Sequence, residues 1–467
     1  MNKTFAFASQ IRHRVVLCGT AAALLGAFGS ANAFAATSAA NPAMESATTA
    51  QKEQIRQLYL QLLGREPDAA GLAWWASALD AGVSMDFIAT HLKASDEYIK
   101  RNTNSGPTGT GGLPAIPATT YNYYVSPTGS DSANGSKATP FKTLARAAQV
   151  ATKPNTTVWV APGTYAGGFK TTGSGTSTGR IYWVSTTKWG AKIVPPANST
   201  NKTAWDNRGN YVSIIGFEVD GSKIGAGTKW TLGIYTGGSY NVIEGNHVHH
   251  TATTIPCSSA GGSAIGVDSY YKGVKGDVIG NVVHDIGPAG CSYVQGIYHS
   301  TSGTIMNNLV YRVGSAAIHL WHDANDVKIV NNTVSSSVFG IIVGGGDFYF
   351  TSAGANNVHV HNNIVFDNKY GISEQGKTGT GNTYKNNLVF QNPTYNFQLR
   401  NGLTHTNTIS SNPLFVGYSR TAAMPNYELS ASSPALGRGI STYAPSTDIH
   451  GQARNATTGF DLGAYQH

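Results

Sequence analysis

Charge is what this chain has least of. Only 12% of its 467 residues are Asp, Glu, Lys or Arg, and no basic run or basic helix occurs among them. Binding to nucleic acid, which rests on clustered cations, is therefore not expected. Cysteine is almost missing, at 3 residues. Long apolar runs are missing as well: beyond Phe28 nothing is long and apolar enough to cross a bilayer as a helix. The formal net charge of +8 is mildly basic, which suits an acidic glycan but argues only weakly for any partner.

The first 35 residues read as a secretory signal peptide. Lys3, Arg12 and Arg14 precede the apolar run Val15 to Phe28, and small-residue cleavage sites follow at Ala31-Asn32-Ala33 or Ala33-Phe34-Ala35. An uncleaved anchor is the alternative, though the run is short for a span. Cleavage removes three cations and no acid, taking the formal charge from +8 to +5, and it removes Cys18. A secreted, periplasmic or cell-surface protein is expected, with Cys257 and Cys291 as the remaining cysteines.

What the chain has in quantity is glycine, at 55 residues, with 23 Tyr and 8 Trp, a composition suited to a turn-rich β protein with a hydrogen-bonding surface. Between Val242 and Asn401 one short phrase recurs six times: VIEGNHVHH, VIGNVVHD, IMNNLVYR, IVNNTVSS, VHNNIVFD and YKNNLVFQ. Its asparagines are Asn246, Asn281, Asn308, Asn332, Asn363 and Asn387, spaced 35, 27, 24, 31 and 24 residues apart. A minimum near 24 with additions above it fits a coil of fixed circumference carrying loops of variable length. Within each copy apolar and polar residues alternate, as in a strand with one buried face. No copy can bury that face alone, so the copies must stack, with equivalent residues about 4.8 Å apart. Stacked asparagines then form an amide ladder. A second apolar position follows each asparagine, at Ile265, Ile297, Ile318, Ile341, Ile372 and Phe397.

The GNxV and NNxV rungs resemble those of the pectate-lyase-like superfamily, as do the opening YYVSPTGSDSANGSKATPFKTLARA and VWVAPGTYAGG and the closing NPLFV and FDLGAYQ. The likeness covers roughly Tyr121 to the C-terminus. It implies a mainly β fold, a right-handed parallel β-helix over 120–467, and carbohydrate chemistry. Within it, Thr139 is expected to cap a helix with Pro140 at its first position, the helix lidding the open end of the solenoid. Asp448 to Tyr465 are expected to close the other end.

Residues 50–100 differ in kind. Ile55, Leu58, Tyr59, Leu62 and Leu63 fall at helical spacing, and Gly64 to Gly71 break and restart the helix. LYLQLLGREPDAAGLAWW and SDEY resemble a small all-helical family of unknown function from bacterial exported proteins. That implies a small N-terminal all-α domain, read as an attachment or scaffolding module, with Arg65, Asp68, Trp74 and Trp75 fixing its turn and core. Residues 101–119 are a linker by composition.

Register turns sequence columns into spatial ones. The position after each second apolar residue reads Tyr235, Gly266, Tyr298, His319, Ile342, Ser373, Gln398. Three residues after each asparagine stand His249, His284, Tyr311, Ser335, Phe366 and Phe390, followed by His250, Asp285, Arg312, Ser336, Asp367 and Gln391. Reactive types concentrate between Asn246 and Asp326, near the long loops HTATTIPCSSAGGS and DIGPAGCSYVQ. The expected chemistry is β-elimination on a uronate-containing polysaccharide. His319 or Tyr298 serves as base and the other as acid, and Arg312 with His284 binds the carboxylate. Trp321, Tyr235, His249, His322 and Asp285 are expected to bind substrate. No cofactor is required; calcium at Asp268 and Asp285 is an option. A glycoside hydrolase using Asp268 with Asp285, or Asp323 with Asp347, is an alternative. So are a C5-epimerase and a non-catalytic exopolysaccharide-binding protein. Cys257 and Cys291, each about ten residues past a ladder asparagine, are expected to form a disulfide, with two free thiols as the alternative.

The paired Asp and Gly-His-Gly signature of polygalacturonases is absent, and so is the Arg-x-Pro-x-x-Arg segment of pectate lyases. Neither family's catalytic residues therefore transfer to this chain.

Overall fold

The computed structural model describes residues 48–63, 66–80, 83–85, 88–89, 92, 113–222, 227–258, 261–454 and 459–467. The expected signal peptide, Arg65 and most of the linker lie outside these. Two compact units result, Met1–Ile99 and Lys100–His467.

In the first unit, helix α1 (Thr49–Leu63) and helix α2 (Ala69–Asp80) pair. Thr48 opens α1 with a reciprocal cap. Its hydroxyl accepts from the Gln51 N–H at 3.2 Å, and its own N–H donates to the Gln51 side chain at 2.8 Å. Ile55, Tyr59, Trp75, Ile88 and Leu92 fill the small core, where the Trp75 indole donates to the Tyr59 hydroxyl at 3.2 Å. Asp68 accepts from the Gly71 N–H at the start of α2. Asp68 and Trp75 thus have the structural roles expected of them. Trp74 does not fill the core: it is 50% exposed.

The second unit is a parallel β-helix of three sheets. Sheet I has eleven strands, and sheets II and III have nine each. Between the ends, each coil contributes one strand to each sheet in turn, and neighbours pair in parallel, so residues one coil apart stack directly. The interior follows the expected register, running Ile265, Ile297, Ile318, Ile341, Ile372 and Phe397 down sheet III. At the corner between sheets I and II the amide ladder is complete. From Asn281 onward each asparagine Oδ1 accepts from the backbone N–H and the Nδ2 of the preceding rung's asparagine, at 2.9–3.1 Å, and the Asn246 Oδ1 accepts from the Phe217 N–H. Each Nδ2 also donates to a strand carbonyl further back, so the buried amides are satisfied. A second, shorter ladder of Ser337, Asn368 and Asn392 forms at the next corner.

Two expectations about the ends need correction. The capping helix, α3, runs Leu144–Val150, and its N-cap is Thr143, whose hydroxyl accepts from the Arg146 N–H. Thr139 and Pro140 fail to start it because Phe141 is drawn into a bridge with Val125, while the Asp131 carboxylate gathers the N–H groups of Lys142 and Thr143. At the other end, Asp448 to Tyr465 do not plug the coil. The segment from Leu414 onward turns back as a strap along the outside of sheet II, where Tyr427, Ile449, Ala464 and Tyr465 pack on Val282, Leu309 and Tyr311.

The reason lies in sheet II's outward columns. They carry Leu309 and Tyr311, then Thr333 and Ser335, then Ile364, Phe366 and Leu388, and the strap covers this largely apolar stretch. It is pinned by the asparagines that precede the ladder. Asn307, Asn331, Asn362 and Asn386 all have positive φ and donate side-chain hydrogen bonds to the strap carbonyls of Thr447, Asp461, Ile440 and Arg438. The two earliest rungs have Gly245 and Gly280 in that column, and there the strap has no such hold.

Candidate active site

The outward column of sheet III has the expected register: Asp206, Tyr235, Gly266, Tyr298, His319, Ile342, Ser373, Gln398. Tyr298 and His319 meet edge to face, ring centres 5.5 Å apart. Both His319 ring nitrogens are shielded from water and have no hydrogen-bond partner among the described residues. Burial, and secondarily the neighbouring His322, lower the His319 pKa to about 3, so the imidazole is neutral across the ordinary pH range. Burial, reinforced by the charges of Asp268, Tyr349 and Asp347, raises Tyr298 and keeps its phenol protonated. The pair is thus an uncharged base beside a protonated hydroxyl.

The loops that leave sheet III toward sheet I supply one wall. Trp321 stands 5.6 Å from His319 between ring centres and donates to Asp347. It lies flat because Gly344 and Gly346 have no side chains; a Cβ there would approach the indole to 2.8 and 2.6 Å. His322 receives a hydrogen bond from the Tyr349 hydroxyl at Nε2 and gives one from Nδ1 to the Asp347 carbonyl, which fixes its tautomer. Asp268 is held by Tyr235, Ser300 and the Tyr270 N–H. Gly266 leaves a notch between Tyr235 and Tyr298, where a Cβ would sit 3.1 Å from the Tyr235 ring.

Sheet III does not gather every expected site residue. Tyr298, His319, Trp321, His322 and Tyr235 share this face. Arg312, His284, His249 and Asp285 belong to sheet II and its corner. Arg312 and His284 are therefore not placed to bind a carboxylate at the Tyr298–His319 pair. The Arg312 guanidinium is also fully engaged. It clasps Asp285 at 2.6 and 2.7 Å and donates to the strap carbonyls of Ala422 and Ala423. Burial works to raise Asp285, but hydrogen bonds from Arg312 and His284 outweigh it and hold the carboxyl low. The same partition separates Asp268 from Asp285, so they form neither a calcium pair nor a hydrolase pair. Asp323 is spent on Ser269 and the N–H groups of Phe350 and Thr351.

Sequence reasoning passed over two features. At the start of the sheet III strands, Phe339, Tyr370 and Tyr395 stack as a half-exposed aromatic strip, with ring centres 4.5 and 5.1 Å apart. Beside it, at the corner with sheet II, lies a groove of about 590 Å³ edged by Lys369 and Arg420, the latter paired with Asp367. Their signal was a third column, six residues past each asparagine or more, which variable turns hide. The expected disulfide is present: Cys257–Cys291 ties the two long loops of adjacent coils.

The chain is a parallel β-helix protein with a small helical domain ahead of it. A family described as a domain of unknown function, DUF4214, matches residues 31–102, and one described as a protein of unknown function, DUF1565, matches 127–172. No curated protein sequence matches. Among solved structures, pectate lyase Pel9A is similar at 17% identity over 77% of this chain and 99% of its own, with a TM-score of 0.43. The GH136 lacto-N-biosidase from Eubacterium ramulus is 12% identical over 79% of this chain and 78% of its own, TM-score 0.40. An alginate lyase from Paenibacillus sp. str. FPU-7 is 16% identical over 57% and 95%, TM-score 0.34. Likeness at this level concerns the winding of the backbone, not the chemistry of a site.

Proposed function

We propose that the sheet III cleft acts on a polysaccharide, and that its chemistry is β-elimination on an acidic, uronate-containing chain. The observation that carries this reading is the neutral, unpartnered His319 against the protonated Tyr298. Once the ring turns to present a nitrogen to the cleft, His319 takes the C5 proton of the uronate, the C4–O bond breaks as the C4=C5 double bond forms, and Tyr298 protonates the departing oxygen. An alkoxide is basic enough to take that proton even from a phenol whose pKa is raised. The aromatic strip gives sugar rings a flat surface, and Lys369 beside it gives an acidic chain its counter-charge. Export follows from the leader, and cell-surface attachment through the helical domain is part of the same proposal.

The test is a panel of uronic-acid polymers incubated with the full chain. Ultraviolet absorbance of an unsaturated product should rise with one of them and stay flat with His319→Ala. Reducing ends without that absorbance would favour a second reading, a glycoside hydrolase.

A further inference from the structure

The early rungs of sheet II have an unusual outward surface. Its columns place Glu218 beside His247, and Asp220 beside His249 and then His284, on successive rungs. His250, at positive φ on the corner, turns back toward this group. The Nδ1 atoms of His249 and His250 face each other at 2.7 Å, and the Asp220 Oδ1 lies 3.7 Å from the His249 Nδ1. One ligand atom from each of the three falls within 4.8 Å of the others.

We infer that Asp220, His249 and His250 form a binding site for a divalent transition-metal ion, with Zn²⁺ the best match. Two imidazoles and one carboxylate are a borderline-soft donor set that suits Zn²⁺, Ni²⁺ or Cu²⁺ and not Ca²⁺ or Mg²⁺. The surroundings orient the ligands as metal sites require. His249 directs its Nε2 to Glu218 at 3.0 Å, which leaves Nδ1 as the free lone pair, and Lys192 fixes Glu218 at 2.7 Å. Asp220 is held by the Ser222 N–H. A tetrahedral ion with bonds of about 2.05 Å sets its nitrogens roughly 3.3 Å apart. A small rotation of His250, whose side chain is 42% exposed, opens the present 2.7 Å to that distance. The same exposure leaves a coordination position open to water or to a ligand from outside. His250 also faces Asp285 at 3.9 Å, so His250, His284 and Asp285 form a competing trio that shares one ligand.

The experiment uses tag-free full chain stripped with chelator and titrated with Zn²⁺ by calorimetry, with Co²⁺ absorption as a second readout. One ion per chain is expected, bound at micromolar affinity or better and not displaced by millimolar Ca²⁺. His249→Ala and Asp220→Asn should each weaken it at least tenfold while circular dichroism stays native. No saturable binding, or binding untouched by both substitutions, overturns the site. Loss with Asp285→Asn but not with Asp220→Asn overturns the ligand set assigned here.

Discussion

His319 and Tyr298 stand on neighbouring coils of sheet III with their rings at 85° and 5.5 Å between centres. Stacking brings together residues 21 positions apart in the chain, and burial separates their proton affinities in opposite directions. Across the ordinary pH range the imidazole is therefore neutral and the phenol protonated, the forms in which one can accept and the other donate.

His319→Ala and Tyr298→Phe should each lower kcat on the responsive polymer by about 10²–10⁴-fold, the usual worth of a positioned acid or base. KM should move much less, because the aromatic strip and Trp321 remain. Steady-state kinetics on both variants checks this.

Activity should persist to low pH. The base works when neutral, and His319 stays neutral until the pH approaches about 3. The acid limb of kcat/KM should therefore fall well below the ordinary histidine range near 6.5, provided the fold survives.

Stability should fall sooner than that acid limb. His319 and His361 have folded-state pKa values lowered to about 3 and about 4 by burial, so the unfolded chain binds more protons between those values and about 6.5. Their contribution is full above the unfolded pKa and is lost as pH drops toward the folded one, at about 1.4 kcal/mol per pH unit for each group. Denaturant midpoints measured from pH 7 to 4 should decline, and His319→Gln should flatten part of the slope.

Asn331 and Asn332 are neighbours with unlike duties. Asn332→Ala breaks the amide ladder and leaves buried N–H and C=O groups unpaired, which should cost about 2–4 kcal/mol in chemical denaturation. Asn331→Gly keeps the positive φ but releases the strap at Asp461 and Gly463. Limited proteolysis should then clip the C-terminal segment while the coils stay native.

Intact protein should show no thiols at residues 257 and 291, by mass spectrometry with and without reductant. Reducing the Cys257–Cys291 bond, which spans 34 residues, should lower stability by about 2–4 kcal/mol.

The winding was legible because a coil of constant girth writes its period into the chain. The asparagines and the Ile column announced which residues stack, and the structure has that register throughout. The capping helix was misplaced because Asp131, eight residues upstream of Thr139, sets the cap at Thr143, and no local rule reaches that far. Arg312 looked available for a substrate because its column showed only Asp285 as a partner. The strap carbonyls of Ala422 and Ala423, more than a hundred residues away, complete its engagement.

Sequence alone thus settled the pairing of neighbouring coils, since period-two alternation and a repeated amide specify register between strands next to each other. It did not settle which wall each reactive column faces, because that depends on the turn at each corner. Nor did it settle where the tail lies, since a segment that docks by burying Tyr427, Ile449 and Tyr465 on sheet II carries no period of its own. Those two facts, fixed only in three dimensions, take Arg312 and His284 away from the Tyr298–His319 pair and leave the histidines at 249 and 250 together on another face.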